Sequence, residues 1–85
     1  MNELKETLKS MISISGLSGY EQPIRDVIST TWKPLVDEIS VSRLGSLHAL
    51  KRGNSKAPRP SILLSTHMDA IGMIVTGIKE GLLRF

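Results

Sequence analysis

His67 and Asp69 are the residues of this chain whose types and spacing best suit chemistry. Imidazole is a common zinc donor, and a carboxylate two residues on can hold the ring's other nitrogen and fix its tautomer. Alternation along an extended chain puts residues i and i+2 on one side, so the pair can face a single site. Both follow a short apolar run in Ser61-Ile62-Leu63-Leu64-Ser65-Thr66-His67-Met68-Asp69. Such a run reads as a buried central strand that delivers a metal ligand to the rim of a sheet, since ligands of open α/β sheets collect at the carboxyl ends of the strands. A His-x-Asp step also arises by chance. In that case His67 is an ordinary strand-end histidine and Asp69 begins a turn. The motif by itself leaves both readings standing.

The elements that must position the pair are legible from periodicity. Leu4, Leu8, Met11 and Ile12 form one face of an amphipathic helix, with Glu3, Lys5, Glu6 and Lys9 between them. Gly16 and Ser18-Gly19-Tyr20-Glu21 break it. Ser18 and Glu21 have capping-box spacing, but Pro23 fits best in a first helical turn, so the second helix starts near Tyr20 or Glu21. Ile24, Val27, Ile28 and Trp32 form its core face, and Pro34 ends it. Alternation over Ile39 to Ser42 predicts a half-buried strand; Leu44-Gly45-Ser46 is a turn, and Leu47 to Lys51 is the second strand of a hairpin. His48 falls in that strand, in a structural or exposed role. Further strands are expected at Ile71 to Thr76 and from Leu82 to Phe85, separated by a turn at Lys79-Glu80-Gly81. The last of them stops without a polar tail, as a cut chain would.

Composition narrows the classes. At 85 residues the chain is one small domain or part of a larger one. A domain of that size buries only roughly 60% of its unfolded surface and is marginal without a metal or a partner. No cysteine is present, so a zinc site would have to use histidine and carboxylates. The net charge of +3 is mild. Much of it sits in Lys51 to Pro60, among Gly, Asn, Ser and two prolines with no aromatic nearby, which reads as a solvated loop rather than a nucleic-acid surface. The start of the chain is charged and amphipathic, unlike a signal peptide, and no apolar run approaches the ~20 residues of a membrane span. A cytoplasmic protein is the expectation.

Taken in order, the motifs resemble a known family. The first helix, Gly16-Leu17-Ser18-Gly19-Tyr20-Glu21, Pro34-Leu35-Val36-Asp37-Glu38, Leu44-Gly45-Ser46-Leu47 and Ser65-Thr66-His67-Met68-Asp69-Ala70-Ile71-Gly72 together look like the N-terminus of metallopeptidase family 42. These are the glutamyl, deblocking and tetrahedral aminopeptidases. The resemblance covers essentially the whole chain, and its most specific parts are the Ser-Gly-Tyr-Glu tetrad and His-Met-Asp-x-Ile-Gly.

The resemblance implies an α/β fold: the N-terminal part of a zinc-peptidase-like three-layer α/β catalytic domain over residues 1–70, and the start of an inserted β-rich dimerisation domain over residues 71–85. It implies two divalent metal ions, zinc or cobalt, in each complete site. His67 matches the family's first metal ligand. Asp69 matches the carboxylate that supports this histidine, a catalytic-site role without ligation. The family's remaining ligands and its general-base glutamate would lie downstream, with no counterpart here. Ala70, Ser46 and Ser42 depart from the family's usual glutamate, asparagine and aspartate, which bears on subfamily and substrate preference. The function implied is a fragment of a dinuclear metallo-aminopeptidase that acts on peptides and forms a homo-oligomer, dimer to dodecamer, when full length; the fragment alone would be inactive. Two alternatives remain: a related co-catalytic zinc hydrolase of carboxypeptidase or deacylase type, and a small non-catalytic α/β interaction module with a structural His67.

Overall fold

A computed structural model describes residues 2–85. Helix α1 spans Asn2–Ile12 and helix α2 spans Gln22–Trp32. The apolar face of α2 turns inward as its spacing predicts: Ile24 is buried, and Val27, Ile28 and Trp32 are half-buried. Pro23 lies in the first turn, where its missing N–H would have had no helical partner. The α-helix ends at Trp32 and tightens into a 3-10 turn over Lys33–Leu35 that contains Pro34.

The capping box takes another form. The Leu17–Tyr20 turn is closed by the Tyr20 N–H on the Leu17 carbonyl at 2.8 Å, with Gly19 at φ 85°. This places Ser18 outside the helix. Glu21 then accepts the Gly19 N–H through Oε1 at 2.7 Å, and no side chain caps α2.

Strands β1 (Glu38–Val41) and β2 (Leu47–Leu50) form the expected hairpin, with Ile39 opposite Ala49 and Ser40 opposite His48. Its loop is closed by the Ser42 N–H on the Ser46 carbonyl at 2.9 Å, and Gly45 adopts φ 90°, a left-handed conformation that glycine takes without a Cβ clash. At the open end the Arg52 N–H donates to Asp37 Oδ2 at 2.6 Å, while the Arg52 guanidinium meets Glu38 at 3.0 Å. Strands β3 (Gly77–Lys79) and β4 (Leu82–Arg84) form a second hairpin. Helices and two small antiparallel sheets make the chain mixed α/β.

Three expectations need correction. Ile62 to Leu64 lie outside any helix or strand and are 88%, 91% and 89% exposed. Apolar composition gave this run the look of a central strand, but a strand exists only through its ladder, and the described residues supply no neighbour. Ile71 to Thr76 is likewise irregular; the strand lies just beyond it at Gly77–Lys79. There the two-residue turn Glu80-Gly81, with φ of 54° and 77°, fixes the register by pairing Lys79 with Leu82. In α1, Met11 is half-buried beside Thr7, whereas Leu4, Leu8 and Ile12 remain exposed. That face has no second layer to meet.

The described residues thus hold one buried apolar side chain, Ile24 at 4% exposure. The radius of gyration is 17.6 Å, with extents of 67 × 34 × 17 Å. A compact domain of this length would have a radius near ~12 Å. The chain is an open unit whose apolar residues mostly face outward. No helix among the described residues is long and apolar enough to cross a membrane.

With one residue carrying the core, Ile24→Ala is expected to cost roughly 2–5 kcal/mol. Leu8→Ala, on the exposed face of α1, should stay within about 0.5 kcal/mol. Urea unfolding followed by the fluorescence of Trp32, the only tryptophan, compares the two.

Candidate functional site

The site is assembled where the segment after α1 meets the segment after the apolar run. The Ala70 N–H donates to the Gly16 carbonyl at 2.7 Å, and Leu17 and Ala70 form an isolated parallel bridge. Both sides of this contact carry a glycine where the approach is close. A Cβ on Gly16 would lie 3.0 Å from Ile24 Cγ2 and 3.5 Å from the Met68 carbonyl oxygen. On Gly72 it would lie 2.6 Å from Leu17 Cδ2.

Held at this junction, His67 and Asp69 do come together. His67 Nδ1 lies 3.3 Å from Asp69 Oδ1 and 3.0 Å from the Asp69 carbonyl oxygen. Both partners are acceptors when the carboxylate is ionised, so Nδ1 carries the proton in the neutral ring. The lone pair is then on Nε2, which has no hydrogen-bond partner among the described residues. The His67 side chain is 83% exposed and that of Asp69 45%. The arrangement presents one imidazole nitrogen to solvent with a carboxylate fixed behind it, as a metal-binding histidine is commonly held.

Two hollows adjoin the pair. A groove of about 590 Å³ runs between α2, at Ile28 and Trp32, the start of β2, at Leu47 and His48, and residues 63–69. A second hollow of about 600 Å³ is lined by Leu17, Ser18, Ile71 and Gly72. His67 and Asp69 border both. The groove wall is braced by Arg25, whose Nη1 donates to the Gly45 carbonyl at 3.1 Å and ties α2 to the β1–β2 loop. Sequence reasoning left Arg25 and the pairing of Gly16 with Ala70 unassigned, and took His48 as structural or exposed; it is exposed and borders the groove. Arg25 carried a signal, since it shares a helix with the core face, but nothing local tells which carbonyl a long side chain reaches.

Among the described residues no group of three or more His, Cys, Asp or Glu side chains is placed to hold a metal ion. The donor set fits one ligand of a metal centre. It does not make a centre.

Comparison with known proteins bears on the same residues. Over 84 residues, or 98% of the chain, it is 43% identical to a protein of Acetivibrio thermocellus assigned as an aminopeptidase. Over 81 residues, 93% of the chain, it is 37% identical to a lysyl aminopeptidase of Pyrococcus furiosus. Over 78 residues, 91% of the chain, it is 32% identical to a glutamyl aminopeptidase of Lactococcus lactis. Over nearly its whole length the chain is similar to aminopeptidases. It spans about a fifth to a quarter of the length of these relatives: 24%, 22% and 21%. No family model matches the chain, and no solved structure matches it. Both sides of the Gly16–Ala70 junction fall within the 84 residues matched to the first relative.

The groove wall gives a direct test. Gly45→Ala would place a Cβ 2.9 Å from Arg25 Nη1 on a backbone at φ 90°. It is expected to break the Arg25 bond and cost about 1–2 kcal/mol, read as an earlier urea midpoint in the Trp32 signal.

Proposed function

We propose that the chain is the N-terminal part of a dinuclear metal-dependent aminopeptidase, in which His67 binds one metal through Nε2 and Asp69 orients the ring. One observation carries this reading. In a segment 37% identical to a named aminopeptidase, the His67 Nδ1 is engaged by Asp69 and its Nε2 is left open. Residues 1–70 would belong to a zinc-peptidase-like catalytic domain, and 71–85 would begin an inserted dimerisation domain. Peptides would be the substrates, in a cytoplasmic homo-oligomer with zinc or cobalt as the metal.

When bound, such a metal pair polarises a scissile carbonyl and lowers the pKa of a shared water. The part that falls to this chain is positional. Asp69 fixes the tautomer that leaves Nε2 unprotonated, so the ring meets a cation without first losing a proton. The exposure of His67 lets ligands from elsewhere in a longer polypeptide reach the same cation. A catalytic zinc normally takes three protein ligands, and one imidazole therefore leaves the 85-residue chain without activity of its own. The alternative of a self-contained interaction module calls for a compact unit, which a radius of gyration of 17.6 Å does not support.

In the longer polypeptide, His67→Ala is expected to abolish peptide hydrolysis and to lower the metal content measured by atomic emission. Asp69→Ala should cost roughly 10–100-fold in metal affinity or activity. Hydrolysis by the pure 85-residue chain, or full metal content after His67→Ala, would sink the proposal.

A further inference from the structure

We infer that the Gly16–Glu21 turn is a clasp that sets the orientation of the His67 ring, with Glu21 as its positioning residue; this rests on the reading of His67 as a ligand oriented by Asp69. The His67 ring, largely in solvent, has both of its hydrogen-bond partners on Asp69. Asp69 is fixed in turn by its neighbours. Ala70 is hydrogen-bonded to the Gly16 carbonyl and bridged to Leu17, and the Met68 carbonyl oxygen packs over Gly16. On the other side of the junction, Gly16 is buried against Ile24, the core residue of α2.

What holds Leu17 and Gly16 in place is the turn that follows them. It is closed by the Tyr20 N–H on the Leu17 carbonyl, and its inner amide, the Gly19 N–H, is taken up by Glu21 Oε1 at 2.7 Å. Glu21 is also the residue from which α2 starts, since its carbonyl accepts the Arg25 N–H at 2.8 Å. Its side chain thereby couples the helix start to the turn. The line of contact runs from Glu21 to Gly19, across the turn to Leu17, over the bridge to Ala70, and through Asp69 to the ring. Without the Glu21 carboxylate the Gly19 amide loses its acceptor, the turn slackens, and the Asp69 carboxylate is no longer presented to Nδ1 in one orientation.

The test uses the 85-residue chain with ¹⁵N-labelled histidine, at a pH where the imidazoles are neutral. Long-range proton–nitrogen correlations then report which ring nitrogen carries the proton, and His48 serves as the internal reference. The wild-type His67 is expected in the Nδ1–H form. Glu21→Ala should lose that preference with helical circular dichroism and the His48 signals unchanged, and Glu21→Gln should keep it, because an amide oxygen also accepts the Gly19 N–H. Gly16→Ala should shift the ring in the same direction as Glu21→Ala, and Asp69→Ala marks complete loss. An unshifted ring in Asp69→Ala would overturn the reading of the pair and the clasp with it. A ring shifted by Asp69→Ala but unmoved by Glu21→Ala and Gly16→Ala would overturn the clasp alone. So would a shift in Glu21→Ala that comes only with loss of helix, or one that Glu21→Gln fails to reverse.

Discussion

One backbone hydrogen bond, from the Ala70 N–H to the Gly16 carbonyl, joins the helical beginning of the chain to the segment that bears His67. It is short, and it lies beside Ile24, the one buried apolar side chain among the described residues. Close approach there depends on the absence of side chains, because a Cβ at Gly16 or Gly72 would press on Ile24 or Leu17. The 53 residues between these partners (17 to 69) include α2, the β1–β2 hairpin and the basic loop. The contact therefore closes a long loop, and loop closure of this kind costs entropy that grows slowly with length. Few contacts repay it in a chain with so small a core.

The rest of the architecture is a set of local solutions that leave edges open. In the β1–β2 hairpin the Ser46 and Leu50 carbonyls accept from the N–H groups of Ser42 and Asp37, the two residues that flank β1. By the two-residue period of a ladder, Leu47 and Ala49 direct their backbone groups to the other side, where no described strand pairs with them. The 61–66 segment lies outside any helix or strand and likewise carries unpaired backbone groups. In water those groups are satisfied by solvent. The exposed Leu4, Leu8 and Ile12 of α1 show the same thing for side chains: residues patterned for a core stand where no second layer covers them.

How much of this was legible in the sequence follows from what each feature depends on. Both helices and the first hairpin rest on short-range terms, such as apolar spacing, Pro23 in a first turn and Gly45 in a left-handed loop, and these can be read locally. The contact of His67 with Asp69 was legible for the same reason, being a matter of two residues. The Ile62 to Leu64 run misled, because apolar composition reports what a segment is suited to and not what lies beside it. Ile71 to Thr76 misled differently: β-branched content suggested a strand there, but the left-handed pair Glu80-Gly81 set the register and moved pairing to Gly77–Lys79. The junction of Gly16 with Ala70 was out of reach. Two glycines and a leucine carry no mark of which distant backbone they will meet.

The uncovered run at Ile62, Leu63 and Leu64 has a consequence for how the chain survives in solution. An unpaired, exposed apolar segment of high β-propensity is a template for pairing with copies of itself. Directly before it stand Pro58, Arg59 and Pro60, with Lys56 close by. Proline cannot donate to a growing ladder, and stacked like charges repel when identical strands align in register. The basic loop that does nothing visible for the candidate site is placed as a gatekeeper, holding off cross-β aggregation at the one stretch that most invites it.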